Sequence, residues 1–122
     1  MDVRVTLAEE DYCYVTTTGR VTSNPHEIEI WFEMNGDTLY ILAGGREKSD
    51  WVKNAQKSPA VAVRVGDQRF GGTARIVTDA SEDALARRLL LQKYAPPRYS
   101  GDLSDWGRTA LPVAIALTPA AE

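Results

Sequence analysis

The sequence predicts an α+β, mainly β domain, a closed or nearly closed antiparallel barrel of six strands with two flanking helices. Several short segments alternate apolar and polar residues with the period of two that a half-buried strand requires. Tight-turn signals at Asn35-Gly36 and Gly66-Asp67 separate four of them into two hairpins, and two other segments have helical spacing. Such strands favour a closed sheet, because closure leaves no exposed edge.

Each predicted strand has its own signal. The first is rich in aromatic and β-branched residues. The second alternates glutamates and Trp31 with apolar residues up to a type I′ turn at Asn35-Gly36. Gly71-Gly72 predicts a bulge in the fifth strand. The six predicted strands cover residues 12–18, 27–34, 38–43, 61–65, 68–77 and 111–117.

Two helices are predicted between these strands. Ser49 caps the first, which turns Trp51 to one side and stops at Pro59. Ser81 caps the second, which ends at Pro96-Pro97, and the following segment 98–108 is predicted to be an ordered loop. The buried stripe of the second helix comprises Leu85, Ala86, Leu89, Leu90 and Tyr94.

Composition limits the class of protein. The 122 residues, 43% hydrophobic and 25% charged, predict one domain over residues 1–122. A net charge of -3 argues against nucleic-acid binding, and no apolar run is long enough to span a bilayer. Cys13 has no cysteine partner, and the chain starts without a basic and apolar leader, so we expect a reduced cytoplasmic protein.

Three features that suggest reactive side chains favour structural explanations instead. His26 is the single histidine, so no metal site is expected. Cys13 lies on a predicted strand without an activating neighbour and is expected to be a small buried hydrophobe. Glu27, Glu29 and Glu33 share one strand face, where carboxylates keep a sheet edge solvated.

The basic residues point to an anion. Arg20 lies in a turn after the first strand, and Gly44-Gly45 joins a strand to the helix that begins near Ser49, with Arg46 and Lys48 between. Free backbone N–H groups, a helix start and an arginine fork suit a phosphate. An ordinary polar connection with solvated charges explains the same residues, so both interpretations stay open.

Four segments in order carry a resemblance to a known family. They are TTTGR at 16–20 followed by Pro25, EIEIWF at 27–32, residues 44–66 from GGREKSDW to AVRVG, and ALPV at 110–113. Together they resemble the deazaflavin-dependent nitroreductase and quinone reductase family, which has the split-barrel fold of the pyridoxamine-phosphate oxidases. The resemblance implies a six-stranded split barrel, a homodimer, and hydride transfer from reduced deazaflavin (coenzyme F420) to a quinone, nitro-compound or other conjugated small-molecule acceptor.

The resemblance also implies which residues line the cofactor groove. Arg20 and His26 would lie near the phosphate or tail, and Ile28, Glu29 and Ile30 beside the ring. The rest of the implied groove comprises Ala43, Gly44, Gly45, Arg46, Lys48, Ser49 and Trp51.

A hydride carrier needs orientation and exclusion of water more than a nucleophile, which agrees with the absence of a catalytic triad. Tyr94, Tyr99 and Trp106 are the candidate catalytic residues, because they would cover the acceptor and the tyrosines would donate a proton. The competing interpretation is packing in the core or in a loop.

The chain departs from the nitroreductase branch near the Gly-Arg turn. Val21 stands where lysine is frequent, Ser23 where a glycine is expected and His26 where an arginine is frequent. These changes lower the positive charge beside the phosphate. FMN therefore stays the alternative cofactor, and a non-catalytic protein that binds a flavin or another hydrophobic ligand is the alternative function.

Overall fold

The computed structural model describes residues 7–119, and within them seven strands form a single antiparallel sheet. The strands are β1 (Cys13–Thr18), β2 (Pro25–Ile30), β3 (Glu33–Asn35), β4 (Thr38–Ala43), β5 (Ala60–Val65), β6 (Gln68–Ile76) and β7 (Leu111–Pro119). The helices of the same range are α1 (Asp50–Lys57), α2 (Ala80–Lys93) and α3 (Ser104–Thr109), and a 3-10 turn over Arg46–Lys48 precedes α1.

The two edge strands of the sheet are neighbours in the sequence. The strand order is β2-β1-β5-β6-β7-β4-β3, so β2 and β3 lie at opposite edges although only Trp31 and Phe32 separate them. Three Cα–Cα steps span at most about 11 Å, so the sheet has to curl until its two edges meet at this crossing. The α+β, mainly β, split-barrel-like class is thereby confirmed.

The predicted counts of six strands and two helices are wrong. The alternating segment 27–34 divides into two strands, since Glu29 pairs with Tyr14 of β1 whereas Glu33 pairs with Tyr40 of β4. An alternating pattern does not record a change of partner, so the sequence shows one strand there.

The segment predicted as an ordered loop contains α3. Gly107 on α3 lies against α2, where an added Cβ would come within 2.7 Å of a Leu91 methyl carbon. This close packing against another helix stabilises six residues that have little helical periodicity of their own.

The two predicted hairpins are confirmed, with different details. The loop of the first is Gly36-Asp37, and only Gly36 has a positive φ, of 62°, which is the pattern of a type II′ turn rather than type I′. The predicted bulge at Gly71-Gly72 is wrong, because the register of β6 stays in step with both neighbours. A Cβ on Gly72 would lie 2.6 Å from a methyl carbon of Ile115, so this glycine allows the close approach of β7.

The helix starts also differ in detail. Ser49 is the N-cap of α1 as predicted, but its hydroxyl makes no capping hydrogen bond. The cap of α2 is Asp79 rather than Ser81, and its carboxylate accepts from the Glu82 N–H at 2.9 Å. Asp79 reaches this N–H because it stands three residues before Glu82.

Apolar side chains pack on both faces of β4. Leu39 and Ile41 face the barrel interior together with Val15 of β1. Tyr40 and Leu42 face the other way, toward α2. The second face matters for the site, because it forms a layer between sheet and helix. The buried members of that layer are Tyr40, Leu42, Val77, Ala86, Leu90, Tyr94, Ala110 and Ala114.

Candidate functional site

The outer edge of β2 is open within residues 7–119. This strand pairs with β1 on one side and ends the sheet on the other, so no strand of that range pairs with its outer backbone groups. His26, Glu27 and Glu29 are exposed, whereas Ile28 and Ile30 are half-buried. Two hollows follow one another along the strand, the first beside residues 26–28 and the second beside residues 29–31.

The hollow beside residues 26–28, called the polar hollow, lies between the β1–β2 connection and α1. It has a volume of about 480 Å³ and contains charges of both signs. Its lining is Gly19, Arg20, Val21, Thr22, His26, Glu27, Ile28, Asp50, Trp51 and Asn54.

Arg20 is held firmly by α1. Its guanidinium donates to the Asn54 amide oxygen at 2.8 Å and to an Asp50 carboxylate oxygen at 3.1 Å. Asn54 is 4% exposed, and its amide nitrogen donates in turn to the Thr17 hydroxyl at 3.3 Å. The guanidinium therefore has a defined position, but its charge is already paired with Asp50.

His26, the second residue of β2, packs against the β1–β2 connection. That connection is tight, since the Gly19 N–H donates to the Asn24 carbonyl at 2.8 Å and the Ser23 N–H to the Gly19 carbonyl at 2.9 Å. A Cβ on Gly19 would come within 2.8 Å of His26 Nε2, so the imidazole covers this glycine. Val21, at the rim, is 88% exposed.

The segment from Gly44 to Asp50 connects the two hollows, because its first residue lines one and its last the other. It follows Ala43, which is buried at the end of β4. Arg46 and Lys48 are exposed, and Arg46 has a left-handed φ of 53°, a conformation that a non-glycine residue adopts at some cost. This segment also closes on itself at its end. A Cβ on Gly45 would lie 2.3 Å from the Ser49 hydroxyl oxygen.

The hollow beside residues 29–31, called the aromatic hollow, has a volume of about 370 Å³. Trp106 of α3 reaches it from the far side, and its indole N–H donates to the Leu42 carbonyl at 3.3 Å. The lining is Tyr12, Glu29, Ile30, Trp31, Leu42, Gly44, Leu103 and Trp106.

Trp31 is at the centre of an aromatic cluster. Its ring stacks on Tyr94 with a centroid distance of 4.1 Å and an interplanar angle of 2°. Tyr99 and Trp106 meet it edge-on, at centroid distances of 5.2 Å and 5.5 Å. The structure thus brings together all three candidate catalytic residues around a residue that the sequence analysis left out of the site.

These three residues have different access to the hollow. Trp106 belongs to its lining, and Tyr99 is 41% exposed beside Trp31. Tyr94 is 1% exposed and lies behind Trp31, with its hydroxyl donating to the Asp11 carbonyl at 2.7 Å and accepting from the Phe32 N–H at 2.9 Å. Burial raises the pKa of Tyr94 well above its ordinary value.

Several lining residues were missed by the sequence analysis. Trp31 did carry a signal, because the alternation places it on the face shared by Glu27 and Glu29, where a large apolar side chain suggests a contact beyond solvent. Asp50 and Asn54 carried none, since their importance depends on Arg20, which lies 30 and 34 residues earlier in the chain.

Within residues 7–119, no helix combines the length and apolar character needed to cross a membrane. In the same range, histidine, cysteine and carboxylate side chains do not cluster in the threes that a metal site needs.

The family model described as F420H(2)-dependent quinone reductase matches residues 2–118. The chain belongs to this family. A relative, the F420H(2)-dependent quinone reductase Rv1261c of Mycobacterium tuberculosis strain H37Rv, is 31% identical over 104 residues, which are 83% of this chain and 68% of the relative. Membership confirms the predicted family and the predicted class of activity, a deazaflavin-dependent reductase with F420 as its cofactor.

Solved structures share the fold of this F420H(2)-dependent quinone reductase family member. The conserved protein Rv2991 of Mycobacterium tuberculosis has a TM-score of 0.73 at 17% identity, with 94% of this chain and 78% of that chain covered. A structure described as an F420-H2 dependent reductase has a TM-score of 0.69 at 21% identity, covering 88% and 94%. One described as a domain-swapped dimer has a TM-score of 0.69 at 22% identity, covering 88% and 80%.

Proposed function

We propose that the chain binds F420 along the open edge of β2 and transfers a hydride from the reduced cofactor to a quinone, nitro-compound or other conjugated acceptor. The observation that carries the proposal is the sequence of surfaces along this strand. Cationic residues lie near one end and an aromatic hollow lies at the other. Between them runs the outer backbone of β2, which has no strand partner within residues 7–119.

The ring of the cofactor fits the middle of this groove. The flat, partly apolar ring suits the half-buried Ile28 and Ile30, and its polar edge suits the outer backbone groups of β2. Glu29 contributes its backbone in this arrangement, because its carboxylate accepts a hydrogen bond from the Tyr14 hydroxyl at 2.6 Å. Gly44, between the buried Ala43 and Gly45, lines the aromatic hollow without a side chain of its own.

The phosphate belongs near the segment before α1. The carboxylates of Glu27 and Asp50 oppose an anion in the polar hollow, and Arg20 is already paired. Attraction to the phosphate therefore has to come chiefly from Arg46 and Lys48, which are exposed beside the start of α1. The remaining predicted members hold this end in shape. They are His26 against Gly19, Ser49 at the N-cap and Trp51 in the lining.

The acceptor belongs in the aromatic hollow. Bound reduced F420 supplies the hydride from a ring carbon, so the side chains need to orient the acceptor and exclude water. Trp31 and Trp106 line the hollow with aromatic rings that suit a flat conjugated molecule. Of the two candidate tyrosines, Tyr99 is the exposed one and would donate a proton after hydride transfer, whereas Tyr94 contributes by supporting Trp31.

Three broader expectations belong to the same proposal. Residues 1–122 act as one flavin-binding domain in the cytoplasm, with no nucleic-acid partner because the net charge is -3. Two chains form a homodimer, for which the domain-swapped dimer among the structures of similar fold is the available support. Sedimentation of the purified chain at several concentrations checks the assembly.

Titration of F420 and FMN into the same apoprotein at fixed salt tests the cofactor, followed by mixing of the reduced F420 complex with a benzoquinone or a nitroimidazole. We expect tighter binding of F420 and oxidation of the reduced cofactor that depends on the acceptor. Tighter FMN binding without detectable F420 binding would establish the FMN-dependent alternative. Binding of F420 without hydride transfer to any acceptor would favour the non-catalytic alternative.

A further inference from the structure

Lys93 and Tyr94, at the C-terminal end of α2, form hydrogen bonds to the backbone of Phe32 at the crossing between β2 and β3. Lys93 Nζ donates to the Phe32 carbonyl at 2.9 Å, while the Tyr94 hydroxyl accepts from the Phe32 N–H at 2.9 Å. The same ammonium lies 3.7 Å from the centroid of the Phe32 ring and 5.2 Å from that of Tyr94. Both backbone groups of Phe32 are thus bonded to two consecutive side chains, Lys93 at the end of α2 and Tyr94 at its C-cap.

These hydrogen bonds to Phe32 fix the position of the neighbouring residue Trp31. Trp31 directly precedes Phe32, and its ring stacks on Tyr94 while lining the aromatic hollow. Phe32 is fully buried, so its backbone has little freedom to shift without disturbing the core. A change in the contact between α2 and the Phe32 carbonyl therefore has a short path to the indole.

We propose that Lys93 is a positioning residue for the acceptor, acting through the Phe32 carbonyl on the placement of Trp31 in the aromatic hollow. The inference rests on the proposed function to the extent that this hollow receives the acceptor. Lys93 itself does not line the hollow, so its effect on the reaction passes through Trp31.

The surroundings of Lys93 shift the pKa of its ammonium group. Burial is the main influence, and it lowers the pKa of Lys93 to about 8. Arg98 acts in the same direction, whereas the acidic neighbours oppose it. Burial raises the pKa of Cys13 to about 12, so the thiol keeps its proton in this range. The ionisable groups that face the ammonium are Glu33 of β3, Cys13 of β1, Asp11 and Arg98.

Loss of the positive charge on Lys93 would weaken its contact with Phe32. A neutral amine keeps a weaker hydrogen bond to the carbonyl but loses the attraction of a cation for the Phe32 and Tyr94 rings. The indole of Trp31 is consequently expected to change its environment as the pH rises through about 8.

Fluorine NMR of protein labelled with 5-fluorotryptophan measures this without cofactor or acceptor. The chain has three tryptophans, and the Trp31 resonance is assigned with Trp31→Phe. We expect that resonance to shift with a midpoint near pH 8 in the wild type and to lose this titration in Lys93→Met. Trp51, which belongs to α1 and lines the polar hollow, serves as the internal reference.

Steady-state kinetics supply the second readout, with Lys53→Met on the exposed side of α1 as the matched control. Lys93→Met should raise the KM for the acceptor about five- to tenfold, with kcat changed less than about twofold and the Kd for F420 unchanged. Lys93→Arg should restore a low KM and abolish the titration near pH 8, because a guanidinium stays charged there.

A Trp31 resonance that does not titrate between pH 7 and 9 in the wild type, or that titrates equally in Lys93→Met, overturns the proposal. So does a KM for Lys93→Met no higher than that of Lys53→Met. Should Lys93→Met fail to fold, the wild type and Lys93→Arg decide by the resonance alone. Absence of F420 binding in the wild type would refute the proposed function, while the resonance would still decide the role of Lys93.

Discussion

The two hollows along β2 are built by opposite means. The polar hollow depends on exposed charges, as in the Arg20–Asp50 pair, whose side chains are 34% and 84% exposed. The aromatic hollow depends on buried rings, since Trp31 rests on Tyr94, which is 1% exposed and hydrogen-bonded to the backbone at two places. Changes in the polar hollow should therefore alter ligand affinity at little cost in folding, whereas changes beneath the aromatic hollow should affect folding first.

The largest expected effect lies beneath the aromatic hollow. Tyr94→Ala should lower the free energy of unfolding by about 3–5 kcal/mol, because it leaves a cavity and removes the hydrogen-bond partner of the Phe32 N–H. Urea unfolding followed by circular dichroism measures the loss. Tyr99→Ala is the matched control in the same ring cluster, and its loss should stay below about 1 kcal/mol since Tyr99 is 41% exposed. Equal losses for the two variants would contradict the comparison.

Removal of a charge beside the polar hollow should affect binding instead. Arg46→Ala is expected to weaken F420 binding by about 1.5–3 kcal/mol, through loss of a charge-assisted hydrogen bond to the phosphate. Titration at fixed salt measures it, and the unfolding midpoint should stay within error of the wild type. Arg88→Ala, at an exposed position on α2, is the control. Unchanged affinity in Arg46→Ala would remove this residue from the site.

Acid should act on a third region, the start of α2. Glu82 accepts from Arg75 at 2.7 Å and from the Tyr40 hydroxyl at 2.7 Å, and these bonds lower the pKa of Glu82 from 4.5 to about 2. A lowered carboxyl pKa stabilises the fold above pH 4.5, and this contribution is lost as the pH falls toward 2.

The size of this effect is limited, because Arg75 is 55% exposed and solvent screens the pair. We expect the free energy of unfolding to fall by about 1–2 kcal/mol between pH 5 and pH 2 through this carboxyl group. Urea unfolding across that range measures the loss. Glu82→Gln should remove the dependence, and Glu47→Gln, an exposed carboxylate, should keep it. An acid response as steep in Glu82→Gln as in the wild type would assign the loss to other carboxyls.

The smallest effect sharpens the comparison within the polar hollow. Asp50→Asn removes the charged partner of Arg20. The free energy of unfolding should change by less than about 1 kcal/mol, because solvent reaches both side chains of this ion pair. F420 should bind about two- to threefold more tightly, since one carboxylate fewer opposes the phosphate, and added salt should reduce the gain. Weaker binding would mean that a fixed Arg20 matters more than the net charge.

The sequence was most informative where a local pattern decides the structure. The turn at Gly36, the end of α1 before Pro59 and the alternation along β5 depend on backbone sterics and on one buried face. The four family segments likewise predicted an F420-dependent reductase, which the family match confirms. They also led to the groove segment around Gly44, and the structure places that segment between the two hollows.

Tertiary structure alone decided the features that depend on distant partners. The division of residues 27–34 into two edge strands comes from pairing with β1 and with β4, and α3 forms because Gly107 packs against α2. Trp31 lines the aromatic hollow with its ring resting on Tyr94, which lies more than 60 residues later. Alternation and capping act over a few neighbouring residues, whereas the choice of a strand partner or a ring contact depends on the closure of the whole sheet.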